Sequence, residues 1–148
     1  MSLVHNCLIR GLNAIYLQGP NVSSPTDISD FLLFCTAWIT SVEHHHAAEE
    51  TVLFPELETF TQDPDIMGVN RAQHEAFTTG LHAFEGYVKE MRSTPEGYAW
   101  GDMKGRLDAF AHDMVMHLRE EIGTLLGLTR FESEGVRGVW KRTEDRAR

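Results

Sequence analysis

The sequence predicts an all-α fold: an up-down-up-down antiparallel four-helix bundle with a short amphipathic fifth helix at its C-terminal end. Three observations lead there. Four long stretches repeat apolar residues in steps of three and four, breaks bearing proline or glycine separate them, and no segment alternates with period two. Short connections between long helices favour antiparallel neighbours, which sets the up-down order.

The first stretch runs from about Ser2, a candidate N-cap, to Gln18, and aligns His5, Leu8, Leu12, Ile15 and Tyr16 before Gly19-Pro20 ends it. The second spans Asp27 to Phe54 with Phe31, Phe34, Trp38, Val42, His45, Glu49 and Leu53 in register, and Pro55 is expected to kink or end it. Asp63-Pro64 opens the third with a capping side chain and a first-turn proline, and His74, Phe77, Leu81, Phe84, Val88 and Met91 share its inner face. The fourth covers Asp102 to Leu126, turning Met103, Leu107, Phe110, Met114, His117, Glu121 and Leu125 inward. From Phe131 to about Arg142 the tail reads as a helix covering the bundle, although Gly135 and Gly138 weaken that pattern. One domain is expected over residues 1–148, with the bundle core at 2–128 and the amphipathic tail at 129–148.

Composition narrows the functional classes. A chain of 148 residues, 42% hydrophobic and 24% charged, can bury a real core and does not resemble a disordered segment. A net charge of −9 argues against a nucleic-acid partner, because a phosphate backbone is met by basic surface. No apolar run approaches the roughly 20 residues of a membrane span, and the N-terminus lacks the shape of a secretory signal, so a cytoplasmic, intracellular protein is expected. Cys7 and Cys35 form no CxxC pair or disulfide framework and read as small core residues.

The chemistry-bearing feature is a histidine followed four residues later by a glutamate, at His45/Glu49 and again at His117/Glu121. Four helical residues turn through about 400°, so each imidazole and carboxylate leave the same face one turn apart. Both pairs replace apolar residues on the inner stripe. In an antiparallel bundle the starts of helices one and three meet the ends of helices two and four, so His5 and His74 fall at the same end as the two pairs. Buried carboxylates facing one another need a proton or a cation between them. Imidazoles mixed with carboxylates favour iron, as one or two non-haem ions, with manganese or zinc behind it, and no thiolate completes a structural zinc tetrahedron. The candidate metal ligands are therefore His5, His45, Glu49, His74, His117 and Glu121.

Plainer readings exist for each part. HxxxE also serves as i,i+4 surface pairing, and His5 or His74 alone reads as a hydrogen-bonded core histidine. His44, His82 and His112 fall off the stripes and are expected in solvent. The ferritin-like pattern needs ExxH on two helices, and only Glu43-His46 supplies it. A metal-free helical interaction domain is the remaining alternative.

The segments His5-Asn6, His45 to Pro55 (HHAAEETVLFP), Gln73-His74-Glu75 and His117 to Glu121 (HLREE) resemble the hemerythrin-like, or HHE cation-binding, domain over about Met1 to Leu128. That resemblance implies a four-helix bundle around a non-haem di-iron centre, with the same six residues as ligands and Glu49 and Glu121 as bridges. It implies binding or sensing of dioxygen, peroxide or iron, with a peroxidase-like or oxidase-like enzyme as the alternative. One departure stands out. Oxygen-carrying members place a second histidine four residues after the first on helix three, where this chain has Thr78, so one ion would have an open position, bind weakly or be absent. His82 is an imperfect substitute, being a turn further on and rotated. His46/Glu50 would replace His45/Glu49 if helix two were turned by one residue, but His45/Glu49 continues the Trp38-Val42 stripe.

Overall fold

Helix α1, Ser2–Gln18, buries His5, Leu8, Leu12 and Ile15, the stripe its spacing predicts. Met1 precedes the helix and Ser2 lies inside it with no capping bond, so the expected N-cap is displaced by one residue. Cys7 is exposed, contrary to its reading as a core residue, whereas Cys35 is buried and its thiol is pushed up to about 12 by that burial. A computed structural model describes residues 1–146, and the expected tail extends two residues beyond them.

Helix α2, Pro25–Ala48, starts at a genuine cap: the Ser24 hydroxyl accepts the Asp27 N–H at 3.1 Å, with Pro25 in the first turn. Its buried residues are Ile28, Phe31, Leu32, Cys35, Trp38, Ile39, Val42 and His46. Phe34, expected inside, is 43% exposed, because the buried face is rotated by about one residue toward Cys35 and His46. The apolar stripe of a helix is about 100° wide, as wide as the step between adjacent residues, so packing decides which residues at its edges turn inward.

Pro55 does not end this helix. Residues Glu49–Leu53 form a π-helical turn in which the Phe54 N–H reaches back to the Glu49 carbonyl, and α3, Phe54–Thr61, continues beyond it. In an α-helix the Pro55 ring would press on the carbonyl four residues before it, and the wider turn relieves that clash. The extra residue also re-phases the chain, so that Leu53, Phe54 and Leu57 all become buried. Gln62 closes α3 in the left-handed region, at φ 56°.

Helix α4, Gly68–Ser93, begins four residues later than expected. Asp63 accepts the Asp65 N–H at 3.1 Å and so holds a local turn instead of capping a helix. Its buried His74, Phe77, Leu81, Phe84, Val88 and Met91 follow the predicted spacing.

The fourth stretch is two helices, α5 at Trp100–Asp108 and α6 at Ala111–Gly127, interrupted at Ala109 and Phe110. No proline or glycine marks this break. Phe110 leaves helical geometry at φ −135° and is buried with its ring 5.9 Å from Phe84 and 6.4 Å from Trp38. The final helix, α7, spans Ser133–Arg146 and packs on α3 and the π turn, which is the covering role expected of the tail. Gly135 assists because the Phe60 ring occupies the space a side chain there would need.

The chain is all-helical, with no strand among the described residues. Helix α1 lies against α2 and α6, α2 against α4, and α4 against α5 and α6. A large apolar cluster, from Leu8 and Trp38 to Phe84 and Leu118, fills the space between them. A second one, built from Leu53, Phe54, Leu57, Met67, Leu128 and Val139, lies beneath α7. No helix among the described residues is long and apolar enough to cross a membrane.

Helix α4 approaches the Phe110 backbone through Gly80, where an added Cβ would sit 2.6 Å from the Phe110 Cβ. That atom is rooted in the main chain and cannot swing aside. Gly80→Ala is therefore expected to destabilise the fold by about 1–3 kcal/mol, despite the better helix propensity of alanine. Chemical denaturation checks this, and an unchanged or raised midpoint would show that the two helices can separate freely.

Candidate metal centre

The starts of α1 and α4 meet the ends of α2 and α6, and a polar layer lies there. His5, His46, Glu49, His74, His117 and Glu121 are buried, and the His45 side chain is only 10% exposed. Phe77 borders this layer against His46, His74 and His117, and Phe54 stacks on His74 with ring centroids 5.5 Å apart. Trp38, two turns away, donates its indole N–H to the Leu8 carbonyl at 2.9 Å and packs with Phe84 and Phe110.

Two groups of ligand-type atoms form. His46, Glu49, His74 and His117 make one and His5, His45, Glu49 and Glu121 the other, with the atoms of each within 4.8 Å of one another. Ligands about 2.0–2.3 Å from a common ion span at most about 4.6 Å, so both groups have the dimensions of a metal site. Glu49 belongs to both. The six residues expected from the sequence are thus divided between the two groups, and His46 joins them.

Outer hydrogen bonds orient the rings. His5 donates from Nδ1 to the Leu118 carbonyl at 2.6 Å, His74 donates from Nδ1 to Glu50 at 2.7 Å, and His117 donates from Nδ1 to the Gln73 amide oxygen at 3.2 Å. Gln73 is itself fixed by donating to Glu120 at 2.6 Å, and Arg71 clamps Glu50 and Glu58. A neutral imidazole whose Nδ1–H is held by such a partner presents the lone pair of Nε2. The Nε2 atoms of His74 and His117 face each other at 2.9 Å. His5 Nε2 lies 3.1 Å from Glu121, His45 Nε2 lies 3.2 Å from Glu49, and His74 Nε2 lies 3.5 Å from Glu49. Nε2 of His5, His45 and His46, and both oxygens of Glu49 and Glu121, are buried without a hydrogen-bond partner. Donor atoms facing donor atoms in a dry interior are repulsive until something positive enters among them. The residues present therefore fit a cation, and their nitrogen and oxygen set fits iron.

The electrostatics follow the same division. Burial pushes His45, His46 and His117 down, to about 4, 2 and 3, and neighbouring imidazoles reinforce it. Burial also opposes charge on His5, but the Glu121 and Glu49 carboxylates outweigh it and raise His5 to about 9. His74 is raised against its burial by Glu49 and Glu50. Burial would lift Glu49, yet the surrounding imidazoles hold it well below the usual carboxylate range. For Glu121 burial prevails and the carboxyl is raised.

Sequence reasoning treated His45/Glu49 and His46/Glu50 as alternatives, and the structure brings parts of both inward. His45 faces His5, at a ring distance of 4.9 Å, while His46 faces His74 at 4.5 Å, because adjacent residues of α2 address different neighbouring helices. Glu50 turns to His74 and Arg71 outside the ligand groups. The overlapping HHxxEE motif held this signal, read as a choice instead of a pair. Thr78 spends its hydroxyl on the His74 carbonyl at 2.6 Å, and His46 from the facing helix stands in the same group as His74 and His117. His44, His82 and His112 are exposed, as their phase predicts.

A helical protein with a buried histidine and carboxylate cluster sized for cations is thereby defined. Comparison with known proteins gives the particular family: residues 1–129 match the hemerythrin HHE cation-binding domain, and the chain belongs to that family. It is 39% identical over 144 residues to the dimeric xanthone biosynthesis cluster protein R11 of Cryptosporiopsis sp. (strain 8999). That alignment covers 97% of this chain and 54% of the relative, so the chain spans about half the length of the curated relative it matches. No solved structure matches it.

In the metal-free protein, His45, His46 and His117 have folded pKa values below the ordinary 6.5, so their neutral burial favours the fold above that pH and its contribution fades on acidification. His5 and His74, being raised, bind protons in both states below 6.5 and add no slope there. Glu121 alone opposes. Stability is expected to drop from pH 6.5 to pH 5, by at most about 1.4 kcal/mol per pH unit for each net proton taken up on unfolding, and the thermal midpoint to fall with it. A midpoint that holds or rises over this interval contradicts the burial of three neutral imidazoles.

Proposed function

We propose that this protein is a non-haem di-iron protein that binds dioxygen or a small oxidant such as peroxide. In this reading the packed helices form one up-down-up-down four-helix bundle within a single domain, closed at the metal end by α7. His46, His74 and His117 would hold one ion, His5, His45 and Glu121 the other, with Glu49 shared between them. The single observation that carries it is the set of buried imidazole and carboxylate donors turned on one another without partners, divided into two groups of metal-ligand size.

Bound iron would supply the redox chemistry with which oxygen ligands are engaged. The protein's own part is derivable from its residues. Glu49 offers one oxygen to each group and its negative charge offsets part of the cations' charge. Leu118, Glu50 and Gln73 hold His5, His74 and His117 in the ring orientations that point Nε2 inward. Phe54 and Phe77 exclude water from the His74 side, which strengthens every electrostatic contact there. His46 completes a three-histidine set despite Thr78, so the reading favours two ions per chain over one. Glu121 belongs to one group only, which favours Glu49 over Glu121 as the bridging carboxylate.

The relative's name places that protein in a biosynthetic cluster. This favours a second reading, in which the same centre serves an oxidase-like or peroxidase-like enzyme acting on a small organic compound.

Elemental analysis and an optical spectrum of anaerobically iron-loaded, re-oxidised protein test the main reading. About two irons per chain with an oxo-bridge charge-transfer band are expected. Glu49→Ala should lose both ions, His46→Ala or His117→Ala should weaken one by about tenfold or more, and His112→Ala should leave the metal content unchanged. Full iron content in Glu49→Ala would falsify the shared-carboxylate assignment.

A further inference from the structure

Asn70 lies on the inner face of α4, one turn before His74, and is 1% exposed. Both ends of its amide, Nδ2 and Oδ1, are buried without a hydrogen-bond partner. Among the described residues, every other buried polar side chain belongs to one of the ligand groups. An amide carries two N–H donors and a carbonyl acceptor, and burying it with none of them engaged is unfavourable.

The direction of Asn70 follows from its neighbours on the helix. At about 100° per residue, Gln73 leaves α4 about 60° to one side of Asn70 and His74 about 40° to the other. Both reach α6: His74 Nε2 lies 2.9 Å from His117 Nε2, and Gln73 donates to Glu120 at 2.6 Å. Asn70 therefore faces α6 as well. The two helices are antiparallel, since Gly80, further along α4 than His74, meets Phe110, which precedes His117. One turn back from His74 is thus opposite one turn on from His117. The residue there is Glu121, fully buried with both oxygens unpartnered.

We infer that Asn70 is a positioning residue for Glu121, its amide N–H donating to the carboxylate oxygen that a bound ion leaves free. The inference rests on the two-ion reading above. In that reading each Nε2 meets one ion and Glu49 gives an oxygen to each group, whereas Glu121 belongs to a single group and keeps one oxygen over. Its Oε2 stands 3.1 Å from His5 Nε2, a member of the same group, which leaves Oε1 as the oxygen to be held. The rings of His5, His74 and His117 have outer partners in Leu118, Glu50 and Gln73, and Glu121 has none. A ligating carboxylate depends on such a partner to keep its orientation toward the ion. Only the N–H end of the amide suits it, because an ionised carboxylate offers acceptors alone.

The test compares iron affinity, by competition with a chelator, in the natural chain and in Asn70→Leu, which replaces the amide with an apolar group of similar shape. The variant should bind one of the two irons about tenfold or more weakly and the other as before. Its metal-free fold should be at least as stable as the natural one in chemical denaturation, because an unpartnered buried amide is gone. In infrared difference spectra, iron-loaded minus metal-free, a carboxylate stretch should move to higher frequency in the variant, since its oxygen has lost a hydrogen bond. Weaker iron binding with no such movement overturns the inference, because the amide would then act on the ion and not on Glu121. Affinity lost in step with metal-free stability also overturns it, in favour of a merely structural amide. Two irons held equally by both chains overturn the inference alone, whereas a natural chain that takes up no iron overturns the two-ion reading and the inference with it.

Discussion

Buried electron-pair donors that face one another are the constraint on which this structure turns. Five imidazoles and two carboxylates meet where apolar side chains would otherwise close the interior, and Nε2 of His5, His45 and His46 and the oxygens of both carboxylates are left without hydrogen-bond partners. Leaving such atoms unpaired in a low dielectric costs several kcal/mol, more than any one helix cap or surface ion pair returns. The large cluster on one side and the smaller cluster under α7 on the other supply the apolar burial that offsets this cost. A cation among the donors would convert the conflict into attraction, which is the physical content of a cation-binding domain.

The surrounding architecture serves that layer. The π turn at Glu49–Leu53 lies directly after His45 and His46, and re-phases the helix so that ligand-type residues before it and core residues after it both point inward. It also reconciles Pro55 with a continuing helix. Glu50, Gln73 and the Leu118 carbonyl stand behind the histidines and fix which ring nitrogen faces inward. Helix α7 then covers the π turn.

Much of this was legible in the residues. The stripes through His5, His74 and His117, the phases that leave His44, His82 and His112 in solvent, and the covering tail all follow from helical periodicity, because those faces bury strongly and the period is unambiguous over several turns. Three features were hidden. The break at Phe110 carries no proline or glycine, and coincides with close packing against Gly80, a residue far away in sequence. Asp63 has the chemistry of a helix cap but spends it on a local turn. Phe34 and His46 were misjudged because a one-residue rotation of α2 changes no periodicity, only which neighbour each face meets.

The sequence by itself determined that the chain is helical, that histidine-glutamate pairs lie on buried stripes, and that these pairs gather at one end. These depend on spacing along a helix, which is local and fixed by backbone geometry. Tertiary structure alone decided which donors share a group, that His45 and His46 both reach the buried layer, and that Glu49 belongs to both groups. Those outcomes depend on which helix lies opposite each face and at what distance, and no period read along one strand of sequence contains that distance.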